Sequence, residues 1–95
     1  MEEKKFDTDA FVREASEKHI PVIDVREPDE FARGHIPGSI NIPLEEMKTA
    51  AVPQNSFISC QSGYRAELAA LDLERRGIHA TDIGGMQFYH GPEAR

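Results

Sequence analysis

The stretch that begins at Ser56 reads SFISCQSGYR and ends at Arg65. Its first four residues, SFIS, predict a short buried strand that ends at Cys60. After the next three residues, a strong helical pattern continues to Arg76, and Gly77 is a typical C-terminal stop. The apolar residues of this pattern follow i, i+3, i+4, i+7 spacing: Ala66, Ala69, Ala70 and Leu73. The stretch therefore predicts one strand–loop–helix unit.

Short apolar runs and helical patterns alternate along the rest of the chain. Further strands are predicted at 22–25, 39–42 and 78–83. A first helix is predicted from a cap at Asp7 or Thr8 up to His19, and two more helices at 28–33 and 44–51. A turn is predicted at 84–85 and a final helical turn at 86–90. This alternation indicates an α/β fold with a central, mainly parallel sheet and helices on both faces. We expect one domain at 6–95 behind a charged tail at 1–5.

The composition narrows the possible functions. The chain has 95 residues, a formal net charge of -6 and a single cysteine. The acidic excess argues against binding to nucleic acid or to anionic lipid, and no apolar run approaches the length of a membrane span. A lone cysteine allows no intrachain disulfide and no zinc site of several cysteines. Because the first residues also lack a secretory signal, we expect a cytoplasmic protein.

The loop after the predicted strand at 56–59 has the features of an anion-binding site. Ligands of parallel α/β sheets bind beyond the carboxyl ends of the strands, where Cys60 is expected. The N–H groups of 60–65 can converge on one point, and the start of the helix favours negative charge there. Gly63 allows a close backbone approach, and Arg65 supplies a permanent cation. The pattern favours nucleophilic attack by a thiolate.

The same residues also have ordinary structural explanations. A lone cysteine at a strand end is usually a small buried hydrophobe, and only its combination with the glycine loop, the arginine and the helix start favours catalysis. Asp24 and Arg26 follow another strand at the same edge, but we expect them to satisfy backbone groups and each other. His35 is expected to fix its own turn rather than to pair with the cysteine.

Other chemically active side chains carry weaker signals. Tyr64 either forms the lip of a pocket or packs over the loop, and the sequence favours neither. The acid pairs at 29–30 and 45–46 are interpreted as solvated helix faces. The remaining histidines show no metal-ligand spacing, so no metal site is predicted: His19, His79 and His90.

Two segments resemble the single-domain rhodaneses, which are thiosulfate or persulfide sulfurtransferases. One joins VIDVREPDEF at 22–31 to GHIPGSINIP at 34–43, and the other is FISCQSGYR at 57–65, followed by Gly77 and the glycines at 84–85. The resemblance extends from about Phe6 to Pro92 and so covers nearly the whole chain.

The resemblance implies that Cys60 accepts a sulfane sulfur and becomes a persulfide. The backbone amides of the loop would hold that sulfur: Gln61, Ser62, Gly63, Tyr64 and Arg65. The donor would be thiosulfate or another persulfide, and the acceptor would be a thiol, or cyanide in an assay. Because the chain has one cysteine, the acceptor thiol must come from outside it. The resemblance implies neither a metal nor an organic cofactor.

Three positions depart from the family pattern. Gln61 stands where many members carry a basic residue, Ala66 where a serine is common, and Tyr89 near a frequent tryptophan. The first two remove a cation and a hydroxyl group, and they open an alternative: a non-catalytic or partner-dependent sulfur carrier with little activity on free thiosulfate. A small phosphatase is a third hypothesis. It is disfavoured because four residues separate Cys60 from Arg65, and related phosphatases have five.

Overall fold

The computed structural model describes residues 5–95. Its helices are α1 (Thr8–Lys18), α2 (Pro28–Arg33) and α3 (Tyr64–Arg75), and its strands are β1 (Val22–Asp24), β2 (Ile40–Asn41), β3 (Ser56–Cys60) and β4 (Ala80–Gly85). Short 3-10 helices cover Leu44–Glu46 and Met86–Phe88. Of the tail predicted at 1–5, residues 1–4 lie outside the described residues, and Lys5 is exposed.

The strands within the described range form one parallel sheet in the order β2-β1-β3-β4. In the centre of the sheet, Ile23 of β1 lies opposite Ile40 on one side and Ile58 on the other. The predicted α/β fold with a parallel sheet is confirmed. Because β1 and β3 are neighbours and parallel, the loops that follow them lie at the same edge of the sheet.

Each face of the sheet carries its own apolar core. On one face, Leu73 of α3 packs in a buried cluster with Ile58. On the other face, Ala15 of α1 packs with Phe57, whose ring meets that of Phe11 edge to face at 5.3 Å. Side chains alternate along a strand, so consecutive residues of β3 enter opposite cores. The prediction of helices on both faces is therefore also confirmed.

The start of α1 is fixed by two polar contacts. The Asp7 carboxylate accepts a hydrogen bond from the Ala10 amide at 3.1 Å and caps the helix. Thr8, the other predicted cap, is buried, and its hydroxyl donates to the Ile83 carbonyl at 2.6 Å. This bond anchors the start of α1 against β4.

The prediction of a helix at 44–51 is wrong. The chain forms only a 3-10 helix there, in which the Met47 amide donates to the Leu44 carbonyl at 3.0 Å. The Met47 carbonyl accepts a hydrogen bond from Arg76 Nη1 at 2.8 Å, and the Met47 side chain is fully buried. These tertiary contacts override the local helical pattern.

The turn predicted at 84–85 is wrong as well, because β4 continues through Gly85. The register between β3 and β4 shifts between Ile58 and Cys60, and the shift brings Gly85 opposite Cys60. A Cβ atom at position 85 would overlap the Cys60 carbonyl group. Glycine therefore serves here as a point of close contact between two strands, a known use at irregularities of a sheet.

Candidate active site

Cys60 ends β3 and lies beneath the loop that leads into α3. The residue is 1% exposed. Its Sγ accepts hydrogen bonds from the amide of Gly63 at 3.0 Å and from the amide of Ala66 at 3.4 Å. Both donors belong to the cap and first turn of α3, whose amides have no partner within the helix. The sulfur therefore occupies a position where N–H groups and the helix dipole stabilise negative charge.

The Ala66 amide lies outside the range 60–65 that the sequence indicated for the cradle. The sequence indicated Ala66 as part of the apolar stripe of the helix and as a position without a hydroxyl group, and it did not indicate its amide as a donor. The helix start carried the missing signal: if α3 begins at Tyr64, Ala66 is its third residue, and its amide is among the free donors of the first turn.

Gly63 is the N-cap of α3, with a φ of 101°. A Cβ atom at this position would lie 2.6 Å from Cε2 of Phe6. Both the left-handed backbone and the space therefore require glycine, in agreement with the close approach expected from the sequence.

The outer side of the loop carries exposed polar side chains and a tyrosine. Gln61 and Ser62 are exposed, and the Ser62 hydroxyl accepts a hydrogen bond from the Tyr64 amide at 3.4 Å. Tyr64 is 67% exposed. With Phe6 and Phe88 it borders a cavity of about 240 Å³. Tyr64 therefore borders this cavity, and its role as the lip of a substrate pocket stays a prediction.

Arg65 is paired with Glu30 of α2. Its Nη1 donates to Oε1 at 2.6 Å and its Nη2 to Oε2 at 3.0 Å. The arginine and glutamate side chains are 32% and 27% exposed. Their hydrogen bonds lower the pKa of Glu30 to about 2 and raise the pKa of Arg65, against the opposing effect of burial on each. Arg65 is thus a permanent cation whose charge is balanced by a carboxylate.

The interpretation of 29–30 as a solvated helix face agrees with the contacts of Asp29 and is wrong for Glu30. Asp29 pairs with Arg33, with side chains 70% and 73% exposed. The Glu30 carboxylate, besides binding Arg65, accepts a hydrogen bond from the Glu27 amide at 3.1 Å and closes a capping box on α2. Because α2 follows β1, its first turn lies at the same edge of the sheet as the loop after β3. This adjacency is the feature of the sequence from which the pairing of Glu30 with Arg65 could have been predicted.

Asp24 and Arg26 form a buried ion pair after β1. Arg26 Nε donates to both carboxylate oxygens of Asp24 at 3.1 Å, and Nη2 donates to Oδ2 at 2.8 Å. Nη2 also donates to the Gly34 carbonyl at 2.8 Å, which fixes the end of α2. Asp24 is 1% exposed and Arg26 4%. The two side chains satisfy the hydrogen-bonding groups of each other and of the nearby backbone, as the sequence indicated.

His35 makes its contacts within its own turn and with the C-terminal segment. Its Nδ1 hydrogen-bonds the Phe31 carbonyl at 2.8 Å, and its ring stacks on that of Phe31 at 3.7 Å. Its backbone amide donates to the Ala94 carbonyl at 3.0 Å, and the Ala94 amide returns the bond at 2.9 Å. These contacts support the expectation that His35 stabilises its turn.

Residues 5–95 offer neither a membrane-spanning helix nor a metal-binding cluster. Within that range no helix is long and apolar enough to cross a membrane. The same part of the chain contains no group of three or more His, Cys, Asp or Glu side chains placed to hold a metal ion.

The fold and the site define a parallel α/β protein with a buried cysteine at the carboxyl edge of its sheet, whose sulfur accepts hydrogen bonds from the start of the following helix. The model of the rhodanese-like domain matches residues 7–87. The chain therefore belongs to the rhodanese-like domain family.

Individual relatives agree with this assignment. The "Putative sulfur carrier protein YrkF" of Bacillus subtilis is 38% identical over 67 residues, which cover 66% of this chain and 36% of that protein. The "Thiosulfate sulfurtransferase PspE" of Escherichia coli is 32% identical over 80 residues, or 77% of each chain. A rhodanese-related protein from Thermoplasma volcanium superposes with a TM-score of 0.76 and 31% identity, over 90% of this chain and 92% of that one. The chain thus spans only about a third of the first relative's length.

Proposed function

We propose that this protein is a sulfurtransferase that carries a sulfane sulfur on Cys60. The observation that carries the proposal is the pair of amides, from Gly63 and Ala66, that donate to the Cys60 sulfur. Membership of the rhodanese-like family supports sulfur as the transferred atom. The donor is thiosulfate or a persulfide, and the acceptor is a thiol.

In the first step, the Cys60 thiolate attacks the outer sulfur of thiosulfate. A bond forms between the cysteine sulfur and the outer sulfur, the S–S bond of thiosulfate breaks, and sulfite leaves with the electron pair. The product is a persulfide anion on Cys60. With a persulfide donor, the same attack breaks the donor's S–S bond and releases its thiolate.

In the second step, an acceptor thiolate attacks the outer sulfur of the Cys60 persulfide. The new S–S bond forms on the acceptor, and the thiolate of Cys60 is regenerated. Cys60 is the sole cysteine of the sequence, so the acceptor thiol lies outside these 95 residues. Cyanide can replace the thiol and would leave as thiocyanate.

The loop would stabilise the anionic outer sulfur through fixed N–H dipoles. Its proposed substrate-binding residues are Gln61, Ser62, Gly63, Tyr64 and Arg65. We further propose that 6–95 forms one domain. The proposed compartment is the cytoplasm, whose reducing conditions keep a lone thiol free to react.

A cyanide assay with a cysteine variant tests this function. The wild-type protein should convert thiosulfate, or a small persulfide, and cyanide into thiocyanate. Cys60→Ser should make none, while its thermal unfolding and circular dichroism remain those of a folded α/β protein. Transfer by Cys60→Ser, or a folded wild type inactive with both donors, would contradict the proposal.

The second candidate is a partner-dependent sulfur carrier. The cavity beside the loop favours it, because exposed Tyr64 borders this cavity together with Phe6 and Phe88 and so offers an aromatic surface next to the sulfur site. A carrier would load rapidly from a protein persulfide and slowly from thiosulfate. Equal loading rates at equal donor concentration would count against it.

A further inference from the structure

We propose that Glu30 sets the donor selectivity of this site. By holding the guanidinium group of Arg65, Glu30 makes the site favour sulfane donors with one negative charge, such as persulfides and thiosulfonates, over the thiosulfate dianion. This inference rests on the proposed sulfur transfer at Cys60 and adds the class of donor.

The first observation is that the cation of the loop is already bound. Arg65 is the only basic residue in the segment from Cys60 to Arg65. Both of its terminal nitrogens donate to Glu30, at 2.6 and 3.0 Å. A bidentate arginine–carboxylate pair has defined geometry and is stronger than a single neutral hydrogen bond. An incoming dianion must therefore compete with a carboxylate for the same guanidinium group.

The pKa of Arg65 also indicates that Glu30 is its strongest partner. Hydrogen bonding to Glu30 is the largest cause of its raised pKa. The charge of Cys60 raises this pKa by a smaller amount. Glu30 is therefore the main partner of the Arg65 guanidinium group, in agreement with the two hydrogen bonds between them.

The surroundings of Arg65 are acidic as well. Arg65 and Lys48 line a groove of about 390 Å³, where three carboxylate residues accompany them: Glu27, Glu45 and Asp72. The chain as a whole carries a formal charge of -6. Coulomb energy scales with the charge of the ligand. The repulsion between these acidic surroundings and a dianion is therefore about twice the repulsion that a monoanion meets.

The test compares two donors that deliver the same kind of sulfur. Thiosulfate carries two negative charges, and methanethiosulfonate carries one. In each case the Cys60 thiolate attacks the outer sulfur and breaks one S–S bond, and either sulfite or methanesulfinate leaves with the electron pair. The measured quantity is the ratio of kcat/KM for thiosulfate to that for methanethiosulfonate, with cyanide as the acceptor.

Glu30→Gln removes the charge and keeps an oxygen that can accept from the Glu27 amide, as in a Gln capping box. We expect this variant to raise the donor ratio by about fivefold to tenfold, the scale of one partly screened charge interaction. The matched control is Asp29→Asn. It makes the same charge change one residue away, where the carboxylate pairs with exposed Arg33. Its ratio should stay within about twofold of the wild type.

A second variant guards against a purely structural effect. Adding Arg65→Gln to Glu30→Gln removes both charges, and the donor ratio should return toward the wild-type value. A ratio in Glu30→Gln that equals that of Asp29→Asn, or falls below the wild type, would overturn the inference. So would a raised ratio that persists in the double variant. Failure of the wild type to form thiocyanate from either donor would instead contradict the proposed function itself.

Discussion

The Gly63 amide donates to the Cys60 sulfur at 3.0 Å, so the N-cap of α3 is part of the sulfur site. The donor is a backbone group whose direction depends on the left-handed conformation of Gly63. The geometry of the sulfur site is therefore sensitive to substitutions that alter the backbone, even where they leave every polar side chain in place.

Gly63→Ala should slow sulfur loading by about tenfold or more, the scale of losing one fixed donor to a developing anion. The added methyl group meets the Phe6 ring and strains a positive φ. Gly38→Ala is the matched control, because Gly38 has a φ of +83° and, among residues 5–95, a Cβ atom added there would meet no atom beyond its chain neighbours within 4 Å. The measurement is the rate of persulfide formation. Equal rates in the two variants would show that the Gly63 amide is dispensable.

Gly85→Ala should reduce the free energy of unfolding by about 1–3 kcal/mol, the range for overpacking a filled site. The new methyl group would overlap the Cys60 carbonyl and push β3 and β4 apart. Gly77→Ala provides the comparison, because Gly77 has a positive φ and the described part of the chain leaves open space for a Cβ atom there. Urea unfolding measures both variants, and sulfur loading should fall only in Gly85→Ala. Normal sulfur loading in Gly85→Ala would show that the contact between Gly85 and the Cys60 carbonyl does not determine the position of Cys60.

Asp24→Asn should destabilise the protein by about 3 kcal/mol, because Arg26 keeps its charge in a buried position without a carboxylate partner. Asp29→Asn, which breaks an exposed pair, should cost less than about 1 kcal/mol. Urea unfolding at neutral pH distinguishes the two. A small effect at Asp24 would mean that the buried pair contributes little to the loop after β1.

The Glu30–Arg65 pair should make stability depend on pH. The pKa of Glu30 falls from 4.5 to about 2 on folding, so the stabilising contribution is fully present above pH 4.5 and is lost as the pH falls through about 2. Partial exposure of the pair limits this contribution to about 1 kcal/mol. As the pH is lowered from 5 to 2, the free energy of unfolding should fall more steeply for the wild type than for Glu30→Gln. Parallel curves would contradict the assigned pairing.

The sequence predicted those elements whose signal is local. Pro28 at the first helical position and acids in the first turn identified α2 with its observed bounds, Pro28–Arg33. The apolar spacing from Ala66 to Leu73 identified α3, and three residues of that stripe are fully buried: Ala66, Ala69 and Leu73.

The errors occurred where distant contacts decide the structure. Arg76 binds the Met47 carbonyl from 29 positions away, and no local pattern at 44–51 encodes that bond. Gly85 extends β4 because it meets Cys60 across a register shift. Glu30 likewise read as a surface acid, since its partner Arg65 lies 35 positions later in the chain. Sequence periodicity reports burial and local conformation, and it carries little information on such pairings.

Intact-mass spectrometry is the decisive test of whether Cys60 carries the transferred sulfur. Protein incubated with thiosulfate, or with methanethiosulfonate if thiosulfate loads slowly, should gain the mass of one sulfur atom. Peptide mapping should place the added sulfur on Cys60, and cyanide should remove it. A folded protein whose thiol still alkylates, yet gains no sulfur from either donor or from a protein persulfide, would contradict sulfur transfer through Cys60.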